Sequence, residues 1–288
     1  MWIFIPQDRD LFVKLINEKI TKRTKMKTKV FFFSAIVTLL LATGCSMHVI
    51  QGDGNLVTEQ VAIGDYSEIA VSGGHLDFTY QQVDSLPSLE ITVDKNIKEV
   101  LEVKVEGSKL IIRPLRRGMN LRPTQFVIKS NSKELRKLDL AGSGKFIVAG
   151  PFRSNELEVD VAGSGDILLQ DTAFVDKVKI DLAGSGKFNA TYLTGTEVDG
   201  DIAGSGAINL AGKVKALVLD IAGSGEVNAF DCEINDLSSS IAGSGKVDAT
   251  VMNSIKSSVA GSGKIRYKGT ASQIESKNMG SGSVTKVD

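Results

Sequence analysis

The sequence predicts an all-β chain wound as a right-handed parallel β-helix, and three observations carry that reading. First, Gly-Ser-Gly recurs eight times in the second half, with its first glycine at 142, 163, 184, 204, 223, 243, 261 and 280, at spacings of 21, 21, 20, 19, 20, 18 and 19 residues. A self-similar period of this length is the mark of a solenoid. Second, apolar and polar residues alternate before each copy, as in Leu157, Val159 and Val161 around Glu158 and Asp160. Period two means a strand with one buried face. Third, no stretch shows helical periodicity.

The elements follow in chain order. Residues 1–25 contain Asp8, Asp10 and Glu18, unlike the start of an export signal, and read as a mis-assigned gene start or a cleaved leader. Met26, Lys27 and Lys29 then precede an apolar run of 12 residues, Val30 to Leu41. About 20 apolar residues are needed to span a bilayer, so residues 26–44 read as a signal peptide. Leu41-Ala42-Thr43-Gly44-Cys45 resembles the bacterial lipobox. That resemblance implies cleavage between Gly44 and Cys45, acylation of Cys45 and, with Ser46 next, an outer-membrane address. Residues 45–60 read as a flexible tether and 61–288 as one β-helix domain.

Within that domain, Ile69 to Phe78 is a degenerate corner copy around Gly73 and Gly74. Strand-like runs follow at Leu89–Val93, Val103–Val105, Leu110–Ile112 and Phe126–Ile128, with a basic loop over Arg113 to Pro123. Each later repeat reads strand, corner, strand, loop. The corner glycines are Gly142 and Gly144, Gly163 and Gly165, Gly184 and Gly186, Gly204 and Gly206, Gly223 and Gly225, Gly243 and Gly245, Gly261 and Gly263, and Gly280 and Gly282. Hairpins favour Asn-Gly or Asp-Gly turns. An identical corner at every turn, with apolar positions falling in columns, favours a parallel coil. About ten turns at a spacing of ~4.8 Å would make a rod of roughly 50 Å.

Composition narrows the function. Lys plus Arg and Asp plus Glu each total 34, but residues 1–44 hold 8 of the bases and only 3 of the acids. The remainder is acidic by about five charges, which argues against nucleic acid as a partner. The only histidines are His48 and His75, so His-based triads and multi-His metal sites are excluded. With Cys45 acylated, Cys232 has no disulfide partner and reads as a buried side chain.

The stretch from about 63 to 288 resembles the head GIN domain family of auto-transporter adhesins. The residues that carry the likeness are Tyr66-Ser67-Glu68-Ile69-Ala70-Val71-Ser72-Gly73, then Leu138-Asp139-Leu140-Ala141-Gly142-Ser143-Gly144-Lys145-Phe146 and its later copies. The resemblance implies a parallel β-helix at a bacterial envelope, with no catalytic residues to carry over.

One polar column stands out. Asp139, Asp160, Asp181, Asp201 and Asp220, followed by Ser240 and Ser258, lie two residues before each corner alanine. Stacked carboxylates would repel by about 0.9 kcal/mol per neighbouring pair in bulk water. Lys137 and Lys179 stand close enough to offset some of this. The column is the candidate binding face, read as solvated or in contact with protein or glycan; no metal and no cofactor are assigned. The corner serines are expected to bond along the stack, and Asn189, Asn209 and Asn228 to form an Asn ladder. The leading expectation is a non-enzymatic envelope lipoprotein that binds surface polysaccharide, a protein or another copy of itself. The alternatives are a carbohydrate-active enzyme on the same fold and a passive spacer. The C-terminal turns, with polar inward residues at Ser239, Ser257, Ser276 and Asn278, read as a polar cap or a docking edge.

Overall fold

The computed structural model describes residues 48–288. The leader, the signal peptide and Cys45 lie outside the described residues. The chain runs through β1 (His48–Gln51), β2 (Leu56–Gln60), β3 (Glu68–Ser72), β4 (Asp77–Gln82), β5 (Ser88–Asp94), α1 (Lys95–Lys98), β6 (Leu101–Glu106), β7 (Lys109–Pro114), β8 (Met119–Arg122) and β9 (Phe126–Ser132). It continues through β10 (Lys137–Gly142), β11 (Lys145–Ala149), β12 (Phe152–Gly163), β13 (Asp166–Gly184), β14 (Lys187–Gly204), β15 (Ala207–Gly223) and β16 (Glu226–Gly243). The last strands are β17 (Lys246–Gly261), β18 (Lys264–Lys268), β19 (Gln273–Gly280) and β20 (Ser283–Lys286).

From β10 onward the chain is a parallel β-solenoid. Equivalent residues pair in register from turn to turn, so that Asp160 faces Asp181, Asp181 faces Asp201 and Asp201 faces Asp220. The solenoid has about 8 turns of about 20 residues, against the ten or so expected. The difference arises at the N-terminal end, where spatial order departs from chain order. The first face stacks β7, then β3, then β10 and β12. The chain therefore fills the second level before the first, and only then climbs regularly.

Getting from one level to the other requires antiparallel pieces. β6 and β7 form a hairpin, and β5 pairs antiparallel with β2 and β9. The runs at 89–93 and 103–105 thus belong to a cap rather than to coils. The expected tether is strand over much of its length, since β1 pairs with β8 and β2 with β5. The same pairing puts a strand, β8, inside the expected basic loop. Asp94 pins the cap. Its buried carboxylate accepts the Gly54 N–H at 2.8 Å and the Thr124 N–H at 2.7 Å. Burial alone would raise this pKa, but the hydrogen bonds from Thr124 and Gly54 outweigh it and hold the carboxyl below its usual range.

The core is the inside of the coil. Each turn sends in residues from three runs, for example Leu157, Val159 and Val161, then Ile167 and Leu169, then Ala173 and Val175, all buried. Stacking turns these into columns. In one of them the rings of Phe78 and Phe146 lie 4.5 Å apart, with Ile167, Phe188 and Ile208 above. Such columns remove apolar area from water at about 25 cal/mol per Å².

The corners explain their own sequence. Gly184 has φ +123, and a Cβ there would meet the Gly163 carbonyl oxygen at 2.4 Å. Gly186 is held differently. A Cβ on it would meet the Val161 Cγ1 at 2.7 Å, because the previous turn's side chain fills that space. Between them the Ser185 N–H donates to the Gly163 carbonyl at 2.8 Å, and the Lys187 N–H to the Gly165 carbonyl at 3.0 Å. The backbone thus ties one corner to the next. Among the described residues a hydroxyl pair links two corners only at Ser262 and Ser281, 3.0 Å apart, a smaller role than the sequence suggested for these serines.

Candidate functional site

The five aspartates form the expected line, and the neighbouring column that holds Lys137 and Lys179 extends further down than sequence order suggests. Because β7 lies under β3 and β3 under β10, the column two residues back runs Lys109, Glu68, Lys137, Glu158, Lys179, Asp199. Its charges alternate. Lys109 reaches Asp139 at 3.0 Å and Glu68 at 3.4 Å. Lys137 reaches Asp160 at 2.7 Å and Glu158 at 3.1 Å. Lys179 reaches Asp181 at 2.6 Å and Glu158 at 3.5 Å. Asp181 raises the pKa of Lys179, while for Lys137 burial works against the charge and Asp160 and Glu158 outweigh it.

One carboxylate oxygen from each of Glu158, Asp160 and Asp181 lies within 4.8 Å of the others. This spacing would admit a cation, yet the ammonium groups of Lys137 and Lys179 already stand there. Protein cations do the work of a metal.

The lysines stop at Asp181. Among the described residues, no lysine or arginine forms an ion pair with Asp199, Asp201 or Asp220. Burial, with the nearby charges of Glu197 and Asp220, raises the pKa of Asp199. Partial burial, a hydrogen bond shared with Asp181 and the charges of Asp181, Asp199 and Asp220 push Asp201 up to about 7. The candidate face therefore has two parts: a lower half whose carboxylates are bridged by lysines and an upper half whose carboxylates have no such bridge.

On the face after the corner, Asn228 donates to the Asn209 Oδ1 at 2.8 Å and Asn209 to the Asn189 Oδ1 at 2.6 Å. Asp248 continues this column and is held by Arg266 at 2.5 and 2.7 Å. The third face carries a groove of about 730 Å³ between turns, lined by Arg153, Phe174, Asn155, Thr194 and Lys215 among others. The Phe174 ring is exposed, and the Arg153 guanidinium lies 4.3 Å from its centroid. Sequence reasoning missed this groove. Its residues are ordinary outward positions that come together only once the length of each turn is known. Cys232 is fully buried, and burial pushes its thiol up to about 11, which makes it a poor nucleophile.

Against known proteins, a family model described as "Putative auto-transporter adhesin, head GIN domain" matches residues 65–175 and 170–271. Among solved structures, a "putative lipid binding protein" from Parabacteroides distasonis is 38% identical, with a TM-score of 0.80 over 83% of this chain and 100% of that one. A "putative adhesin" from Parabacteroides merdae is 29% identical, with a TM-score of 0.77 over 84% of this chain and 100% of that one. A second "putative adhesin" from P. distasonis is 30% identical, with a TM-score of 0.76 over 83% of this chain and 100% of that one. No curated protein matches the chain. Among the described residues, no helix is long and apolar enough to cross a membrane.

Proposed function

The chain belongs to the head GIN domain family of auto-transporter adhesins, and on that premise we propose that it is a non-enzymatic, adhesin-like rod of the cell envelope, acylated at Cys45 and held on the outer membrane. It engages a surface protein or polysaccharide through the upper acidic face. Relatives described as adhesins or binding proteins, rather than as enzymes, support the general role.

One observation carries the choice of face. Asp201 and Asp220 sit in register, Asp199 lies two residues before Asp201 on the same strand, and among the described residues no lysine or arginine forms an ion pair with any of the three, whereas the carboxylates below are bridged by lysines. Like charges at one strand spacing cost stability, and alternation with lysine was available to the same fold. A cationic group on a partner completes the column where the protein's own lysines end.

The groove beside Phe174 favours a second reading. An exposed ring flanked by amide, hydroxyl and guanidinium groups suits a sugar, and this reading places polysaccharide on the third face rather than on the acidic one.

The test is capture from intact envelopes with wild-type chain and with the triple variant Asp199→Asn, Asp201→Asn, Asp220→Asn. Bound material is scored separately for protein, polysaccharide and lipid. Loss of capture in the triple variant supports the acidic face. Undiminished capture by the triple variant overturns it, and loss on Phe174→Ala instead moves the site to the groove. No specific capture by the wild type would leave a spacer.

A further inference from the structure

The C-terminal end of the solenoid is open among the described residues. β19 pairs with β17 alone and β20 with β18 alone, so the outer edges of both strands have no partner. All eight residues of β19 are exposed, including Ile274 at 46% and Met279 at 71%. The opposite end is closed by the antiparallel cap. A long unpaired edge with exposed apolar side chains is what folded proteins ordinarily cover, charge or twist away.

β19 has a sequence that fits itself. Register with β17 places Ile274 over Ile255, Ser276 over Ser257 and Asn278 over Val259, all facing the lumen. Gln273, Glu275, Lys277 and Met279 therefore face out. If a second β19 runs antiparallel with the two Ser276 residues opposite one another, Glu275 of each copy faces Lys277 of the other. Lumen residues then face lumen residues, and outward residues face outward ones. The column behind Glu275 reinforces the match, because Lys256 stands directly beneath it. Across the junction the outward column would read Lys256, Glu275, Lys277, Ser258, continuing the alternation of the lower face. A two-fold axis through Ser276, perpendicular to the solenoid axis, also reverses the direction in which the chain runs around the end while leaving the hand of the coil unchanged. The β19 edges then meet antiparallel, the arrangement an isologous contact requires.

We propose that the open C-terminal coil is a self-association surface: two copies join end to end through antiparallel pairing of β19, in the register that sets Glu275 against Lys277. The acidic face and the groove lie on the sides of the rod, so this contact is independent of the binding role proposed above. It would give one molecule twice the length and two ligand faces.

The test is the mass of the full chain in detergent by sedimentation equilibrium, up to about 100 μM, well above the dissociation constant of a standard-sized interface. The wild type should be a dimer. Glu275→Lys and Lys277→Glu each place like charges together twice, and each should weaken the dimer at least about tenfold. Mixing those two variants in equal amounts should restore it, because each supplies the charge that the other lacks. Both residues are exposed, so circular dichroism should show every variant folded. A wild type that stays monomeric across this range overturns the proposal. So does a dimer that both single variants form as tightly as the wild type, or a mixture that stays monomeric.

Discussion

At the residue scale, Asp201 is the most informative side chain. Its folded pKa of about 7 lies above the ordinary 3.8. Between those values the folded state holds a proton that the unfolded state has lost. Stability from this group is therefore unaffected below the unfolded pKa and falls as pH rises toward the folded one. Asp201→Asn removes the dependence. The variant should be more stable than wild type by about 1 kcal/mol near pH 8, a figure kept small because the side chain is only partly removed from water and its neighbours are screened. The advantage should vanish near pH 4, and urea unfolding at the two pH values measures it. The line of aspartates was legible because five copies share one offset from the corner. The alternating column beside it was legible only from Lys137 upward. Lys109 belongs to a strand 30 residues away whose place beneath β3 no local pattern announces.

At the element scale, the corner is the unit of construction. Its two glycines answer different constraints, one a positive φ against a carbonyl, the other the side chain of the turn beneath. Gly184→Ala should therefore destabilise by about 3 kcal/mol or more, since φ strain alone costs about 1–3 kcal/mol and the carbonyl contact adds to it. Ser185→Ala should be nearly neutral, because the corner uses the residue's backbone N–H. Denaturant melts of the pair give the comparison, and similar losses would mean the hydroxyl matters after all. The repeats were readable because glycine and alternation coincide every turn. The N-terminal cap was not. Leu89-Glu90-Ile91-Thr92-Val93 alternates just as a coil strand does, and alternation states which face is buried without stating strand direction.

At the scale of the whole molecule, the two ends differ. A solenoid is stabilised mainly by contacts between neighbouring turns. The N-terminal end has antiparallel strands, stacked Phe78 and Phe146 and the Asp94 clasp; the C-terminal end has the exposed β19. Ser239 and Ser257 add to the contrast, since their buried hydroxyls have no hydrogen-bond partner. Amide exchange in dilute solution should therefore be fastest in β19 and β20 and slowest where β3, β10 and β12 stack. Uniform protection along the rod would contradict this. Protection of β19 that grows with protein concentration is the companion expectation of end-to-end pairing.

The turns differ in length, yet the corners never fall out of step. Most of the difference is taken up at one place, the bend after the second strand, where pairing slips between Leu169 and Thr172, between Ala190 and Leu193, between Asn209 and Gly212 and between Ala229 and Glu233, with one further slip between Ile234 and Asp236. That bend works like an expansion joint. A residue gained or lost there leaves all later turns in phase, and the groove lined by Arg153, Phe174 and Thr194 begins immediately beyond it. Insertions and deletions can thus remodel that groove from one family member to the next while the corners and the aspartate line keep their alignment.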